Sequence, residues 1–217
     1  MMEQPLVGKR VAVLVETEFI PMEIDCYRTR FPKLGAQVDL LTYLWGKPER
    51  ELVPDIDSPD KPIRDLGLLK VNKDVGKANP EDYDIVIMVA NYCAVRLREI
   101  MPMGSLGSPE EVATPPAVRF FAGAMENKRI VKGAMCHALW ILTPRPDLLK
   151  GRKVICHTVV LADVINAGGI YAPGASHVVV DDDLVTARSA ADLDAYFHTL
   201  VETTVQRSAH SHTHHQA

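Results

Sequence analysis

The chain has 217 residues, 47% of them hydrophobic and 24% charged, with a formal net charge of -4; that is enough for one large α/β domain with a full core, and it carries no basic stripe for nucleic acid. The start, Met-Met-Glu-Gln-Pro, has no basic region followed by an apolar stretch, and no run approaches the roughly 18 apolar residues that span a bilayer, so a cytoplasmic protein with no membrane partner is expected. The four cysteines, Cys26, Cys93, Cys136 and Cys156, form no C-x-x-C pair, and free thiols are expected rather than a disulfide framework.

After Lys9 and Arg10, the apolar β-rich run over 11–15 is of the kind buried on both faces of a parallel sheet, and it predicts strand one. Residues 16–20 read as a loop, and Pro21 suits the first turn of a helix running to about Leu34, where Gly35 supplies the stop. Strand two follows over 37–43. The stretch 44–82 holds Pro48, Pro54, Pro59, Pro62 and Pro80 with no sustained period, which predicts an excursion with at most short strands. A buried strand returns over 84–89, then a short helix over 94–100 and a second insertion, 101–116, broken by Pro, Gly and Ser. A helix over 116–127 feeds a strand over 129–135, and a further helix covers roughly 137–142. The spacing then predicts a strand over 153–157, a helix over 159–167 stopped by Gly168-Gly169, and a hairpin of 178–180 and 184–186 turning at Asp181-Asp182-Asp183. Ser189 is an N-cap candidate for a closing helix from Ala190 to about Val205, with Asp192 and Asp194 in its first turn. The division is thus one domain over 1–206 with a His-rich flexible tail over 207–217.

Strands alternating with helices argue for an α/β sandwich with a mostly parallel central sheet, whose sites lie at the carboxyl ends of the strands. Two candidate places meet that condition, the loop after Val15 and the turn at Cys136. Ala134-Met135-Cys136-His137-Ala138 has the pattern of a strand-to-helix elbow, in which small residues two positions either side of the nucleophile avoid collision across the turn. A cysteine at such a helix start is expected to favour the thiolate, the reactive form.

Three acids follow strand one: Glu16, Glu18 and Glu23. If strand one and the elbow strand are neighbours, one of these carboxyls can reach the Cys136 sulfur, keep its proton in a dry turn and donate to sulfur; Glu18 is the candidate, against the plainer reading of all three as solvated acids. His137 can serve as general acid or base, or simply pack at the helix start. Cys156-His157 repeats the Cys-His dipeptide, but its bulky β-branched flanks do not suit a tight elbow, so Cys156 reads as structural. Cys93 follows a strand end near the site with no nameable partner. The His210, His212, His214 and His215 tail has no Cys or Asp to complete a tetrahedral set, and the Asp181 run lacks the spacing of a calcium loop. No metal and no cofactor are expected.

With strand one, Glu18-Phe19 and the Cys136 elbow in hand, the chain resembles the DJ-1/PfpI (ThiJ/PfpI) superfamily, in its PfpI-like branch. The likeness extends to Tyr83-Asp84, the 149–153 stretch, Asp163 to Gly169, Val178 to Arg188 and Ala191-Asp192-Leu193. It implies a flavodoxin-like three-layer sandwich of the class I glutamine amidotransferase-like kind, and self-association as a homodimer or higher oligomer. It also implies a nucleophilic Cys136 hydrogen-bonded to a protonated glutamate, by position Glu18, with His137 adjacent. Family activities range over peptidase, glyoxalase or deglycase, isonitrile hydratase, chaperone and stress sensor, and fold alone does not choose among them. Members commonly carry Gly-Gly after the third core strand and a glutamate shortly beyond; this chain has Ala90-Asn91 and Val95 there, so the peptidase triad is incomplete. Ala90 and Asn91 are the candidate substrate or oxyanion positions, and the 101–116 insertion is placed to cover the site. The expectation is a cysteine-dependent hydrolase or lyase acting on a small-molecule or peptide substrate, with a non-catalytic oxidative-stress sensor or chaperone as the alternative. A glutamine amidotransferase is disfavoured because no histidine after Cys136 has Glu two positions on.

Overall fold

A computed structural model describes residues 4–55, 67–174 and 176–213. Three apolar strands form its centre: β1 (Arg10–Leu14), β6 (Ile85–Met88) and β7 (Val131–Met135), all but Arg10 buried along their length. Strands buried on both faces must lie inside a sheet covered by helices on either side. The central sheet has seven strands in the order β10-β11-β7-β6-β1-β2-β5. Here β2 is Gln37–Thr42, β5 is Lys73–Asp74, β10 is Val178–Asp181 and β11 is Leu184–Ala187. Only the β10–β11 hairpin is antiparallel; the other pairings are parallel. This is the α/β, mostly parallel, flavodoxin-like sandwich expected.

One expected adjacency does not occur. β6 lies between β1 and β7, so the loop after strand one and the elbow are two strands apart.

Helix α1 (Pro21–Lys33) buries Glu23, Ile24, Tyr27 and Phe31, a stripe at helical spacing. It packs on the closing helix α6 (Leu193–Thr213), where the Phe31 and Phe197 rings lie 4.7 Å apart. α6 reaches β7 because residue 133 is glycine: a Cβ there would collide with the Tyr196 hydroxyl. Helix α3 (Pro116–Glu126) turns Phe120, Phe121 and Ala124 into the core and feeds β7.

Other boundaries differ from expectation for local reasons. The 44–82 excursion forms an antiparallel ribbon, β3 (Arg50–Leu52) with β4 (Leu69–Val71), and adds β5 to the main sheet; Pro59 and Pro62 lie outside the described residues. The short helix after β6 is α2 (Cys93–Arg96), and one turn, α4 (Pro146–Leu149), precedes Gly151. The strand expected over 153–157 shortens to β8 (Lys153–Val154), which pairs only with β9 (Ile170–Tyr171). The Ile155 N–H turns to the Thr186 hydroxyl at 3.0 Å, and His157 becomes the N-cap of α5 (Thr158–Asn166), its ring accepting from the Val159 N–H. α6 continues to Thr213, so residues 207–213 of the expected tail are helical.

The Asp181–Asp183 run turns the hairpin with Asp182 at φ 56°. Asp183 is buried and holds both Lys132, which is wholly buried in β7, and Arg152 at 2.6 Å. No helix among the described residues is long and apolar enough to cross a membrane.

Candidate active site

Three non-glycine residues with left-handed backbone sit beyond the carboxyl ends of β1, β6 and β7: Glu18 at φ 72°, Asn91 at 61° and Cys136 at 61°. Each costs on the order of 1–2 kcal/mol relative to ordinary backbone, and such strain gathers at working sites. At Cys136 the strain makes the elbow. Its N–H donates to the Ala187 carbonyl at 2.9 Å and its carbonyl accepts from the His157 N–H at 3.1 Å, which pins the turn from both sides. Ala134 and Ala138 are both fully buried against it, as the small-neighbour argument requires.

The Cys136 side chain is buried, and burial pushes its thiol above the ordinary range. The backbone amides of Asn91 and His137 act in the opposite direction, while the Glu23 carboxyl raises it further. The expected tilt toward thiolate therefore does not dominate in the isolated chain. The physical reason is the short element after the elbow, a single 3₁₀ stretch over Ala138–Ile141, whose dipole is too small to offset desolvation.

The carboxyl facing Cys136 is Glu23, and Glu18 is held elsewhere. The Glu18 carboxylate lies 2.7 Å from Arg96 Nε and is partly exposed, because β6 separates its loop from the elbow and its left-handed backbone turns it toward α2. Glu23 is completely buried on the inner face of α1. One oxygen accepts from the Ala90 N–H at 2.9 Å and the other from the Tyr27 hydroxyl at 2.8 Å. Burial still prevails, and its pKa is raised to about 7. The signal was present in the sequence: Glu23 falls in the helical stripe with Ile24, Tyr27 and Phe31, where an acid has no solvent. Glu16 is structural, its carboxylate bound to Arg50 at 2.6 and 2.8 Å and to Thr42 at 3.1 Å.

Asn91 and Ala90 divide their expected roles. The Asn91 side-chain amide donates to the Glu18 carbonyl at 2.8 Å, leaving its backbone N–H as the group beside the Cys136 sulfur. The Ala90 N–H is committed to Glu23 and not to a substrate oxygen. The Cys93 thiol finds a partner in the Glu16 carbonyl at 3.1 Å.

His137 is buried, and neither ring nitrogen has a hydrogen-bond partner among the described residues. Its ring stacks on Trp140 at 5.2 Å, packs by Tyr92 at 5.2 Å and meets His157 edge-on at 4.9 Å. Burial and the neighbouring His157 both lower its pKa, so it is neutral near pH 7. His157 carries its proton on Nε2, since Nδ1 accepts from the Val159 N–H. Beside these rings lies a groove of about 610 Å³ lined by Tyr92, Val95, Arg98, Trp140, Thr143 and Asp163 among others. Arg98 donates to the Trp140 carbonyl and the Thr143 hydroxyl and has no ion pair among the described residues. Residues 101–116 do not line this groove, and Met103 and Leu106 stand exposed. Tyr92, Trp140 and Arg98 carried no motif in the sequence, and His157 stood out only as half of the Cys156-His157 dipeptide that was read as structural; only the tertiary fold assembles them. Among the described residues no group of three or more His, Cys, Asp or Glu is placed to hold a metal.

The model of the DJ-1/PfpI family matches residues 9–203. Among curated proteins, the chain is 29% identical over 190 residues to "Putative cysteine protease YraA" of Bacillus subtilis (strain 168), covering 87% of this chain and 94% of that one. It is 24% identical to "Protein/nucleic acid deglycase 2" of Escherichia coli (strain K12), again covering 87% and 94%. Among solved structures, Schizosaccharomyces pombe DJ-1 superposes with a TM-score of 0.64 at 15% identity, covering 93% of this chain and 97% of that chain, a likeness of fold.

Proposed function

The chain belongs to the DJ-1/PfpI family, and from that premise we propose that it is a cysteine-dependent enzyme in which the Cys136 sulfur attacks an electrophilic carbon of a small substrate. The observation that carries this reading is the Cys136 elbow itself: a strained, pinned cysteine with two backbone amides beside its sulfur and a buried, near-neutral acid facing it. For a carbonyl substrate the S–C bond forms as the C=O π bond opens. The thiol proton passes to a ring nitrogen of His137, which is neutral and unpartnered and so can accept one proton and give one. The carbonyl oxygen receives the proton, and the Asn91 N–H stabilises the charge that develops on it. Glu23 matters through its own proton: below about pH 7 it is neutral and does not oppose the sulfur's negative charge. Glu18 positions the loop by pairing with Arg96 and holding Asn91 through its carbonyl.

Two relatives bear the names of a cysteine protease and a protein/nucleic acid deglycase. Val95 stands where the resemblance places the acid of a peptidase triad, which favours the aldehyde or glycated-amine class over peptides. The test is a turnover screen with methylglyoxal, glycated amines, isonitriles and peptide amides. Wild type is expected to consume one of these, with loss of about 10³-fold or more in Cys136→Ser; if every turnover survives in Cys136→Ser, the enzyme reading fails.

A further inference from the structure

Cys156, dismissed by its bulky flanks as a second nucleophile, sits in a segment hydrogen-bonded to the backbone of the first. The segment holding it leaves β8 and crosses the ends of β11 and β7: the Ile155 N–H donates to the Thr186 hydroxyl at 3.0 Å, and the His157 N–H donates to the Cys136 carbonyl at 3.1 Å. That second donor belongs to the peptide joining Cys156 to His157, so the backbones of the two cysteines are in contact. A backbone hydrogen bond holds neighbouring segments about 4.8 Å apart, a spacing inside the window of about 4.4–6.8 Å between Cα atoms that a disulfide bridges. Burial, and after it the charge of the Cys136 sulfur, pushes the Cys156 thiol up to about 12. The other two thiols have other company: Cys93 donates to the Glu16 carbonyl, and Cys26 sits beside Arg30 on the half-exposed side of α1.

We propose that Cys136 and Cys156 form a reversible disulfide under peroxide, with Cys156 as the resolving thiol. The proposal rests on the reading that Cys136 is the reactive cysteine. In the first step the Cys136 thiolate attacks hydrogen peroxide: an S–O bond forms, the O–O bond breaks, sulfur is oxidised to sulfenic acid and hydroxide leaves. In the second the Cys156 sulfur attacks the Cys136 sulfur, an S–S bond forms, the S–O bond breaks, and the Cys156 proton leaves with the hydroxide as water. The sum is two thiols and one peroxide to one disulfide and two waters. Oxidation of Cys136 to the neutral sulfenic acid removes the neighbouring charge that helps to raise the Cys156 pKa, leaving burial alone to oppose the attack. Pairing then returns Cys136 to the thiol on reduction, where a lone sulfenic acid would proceed irreversibly to sulfinic acid.

The full chain is treated with one molar equivalent of hydrogen peroxide, denatured in alkylating agent and mapped by peptide mass spectrometry. The expected result is a Cys136–Cys156 cross-linked peptide, two hydrogens lighter than the sum of its parts, that disappears on reduction. In Cys156→Ser, Cys136 should instead react with dimedone after one equivalent and, without dimedone and with excess peroxide, go on to a product two oxygens heavier. Wild-type protein that reaches sulfinic acid at Cys136 while Cys156 remains fully alkylated overturns the inference and leaves the reactive-cysteine reading standing. Cys136 that resists both peroxide and native-state alkylation overturns both. The wild-type map decides the matter even where Cys156→Ser does not fold.

Discussion

Glu23 titrates near pH 7 because the folded chain buries it, so its proton is linked to stability. In the unfolded chain the same carboxyl titrates at about 4.3. The folded state therefore holds the proton more tightly, and stability falls as pH rises from about 4.5 to about 7, then levels off. The loss is about 4 kcal/mol. Urea midpoints at about pH 5 and about pH 8 should show this fall in wild type and lack it in Glu23→Gln, which carries no charge at either pH; a parallel fall in both proteins would place the titration elsewhere. The choice between Glu18 and Glu23 marks how far residues alone could be read. Cys136 and its small neighbours were legible because an elbow imposes a local steric rule. The identity of its acid was legible only in part: the apolar stripe of α1 marks Glu23 as buried, but which acid nears Cys136 depends on the strand that lies next to β7. At His137 the expectation is equally concrete: His137→Ala should lower turnover by about 10²–10⁴-fold, the scale of a positioned acid–base group, while Cys136 still oxidises under peroxide. Full turnover in that variant would reduce His137 to a packing residue.

The elements were legible wherever a strand or helix is buried along a regular stripe: β1, β6, β7, α1 and α3 match their apolar patterns closely. Expectation failed where one hydrogen bond outweighs pattern. The apolar run at 153–157 ends as a strand after two residues because the Thr186 hydroxyl and the His157 cap capture its backbone. Two variants probe what holds the elbow strand. Gly133→Ala should cost about 1–3 kcal/mol through overpacking against Tyr196 on α6, read as a lowered denaturant midpoint with unchanged slope; an unchanged midpoint would mean that α6 yields easily. Asp183→Ala leaves Lys132 buried with no counter-charge and should cost about 3–5 kcal/mol. Lys132→Met, which leaves Asp183 paired with Arg152, should cost clearly less. The reverse order would contradict this account of the hairpin turn.

Across the molecule, the chain order of strands and helices sufficed for an α/β sandwich with a parallel sheet, since crossover connections leave few alternatives. It did not give the sheet order, which seats β6 between β1 and β7 and brings Glu23 of helix α1 to the Ala90 N–H beyond the end of β6. Nor did it reveal the ring cluster of Tyr92, His137, Trp140 and His157, four residues drawn from three separate segments. We propose, from the likeness to the family alone, that the chain self-associates. Sedimentation equilibrium should return at least twice the monomer mass; a monomer at working concentration would contradict that expectation.

The central claim is that Cys136 is the reactive thiol and Glu23 the acid that governs it. The most direct measurement is the pH dependence of iodoacetamide alkylation at Cys136, followed by peptide mass spectrometry in wild type, Glu23→Gln and Glu18→Gln. Wild type should show an inflection above the ordinary thiol value, Glu23→Gln should move it down by removing the facing charge, and Glu18→Gln should leave it in place. An inflection that stays fixed in Glu23→Gln, or that moves only in Glu18→Gln, would contradict the account.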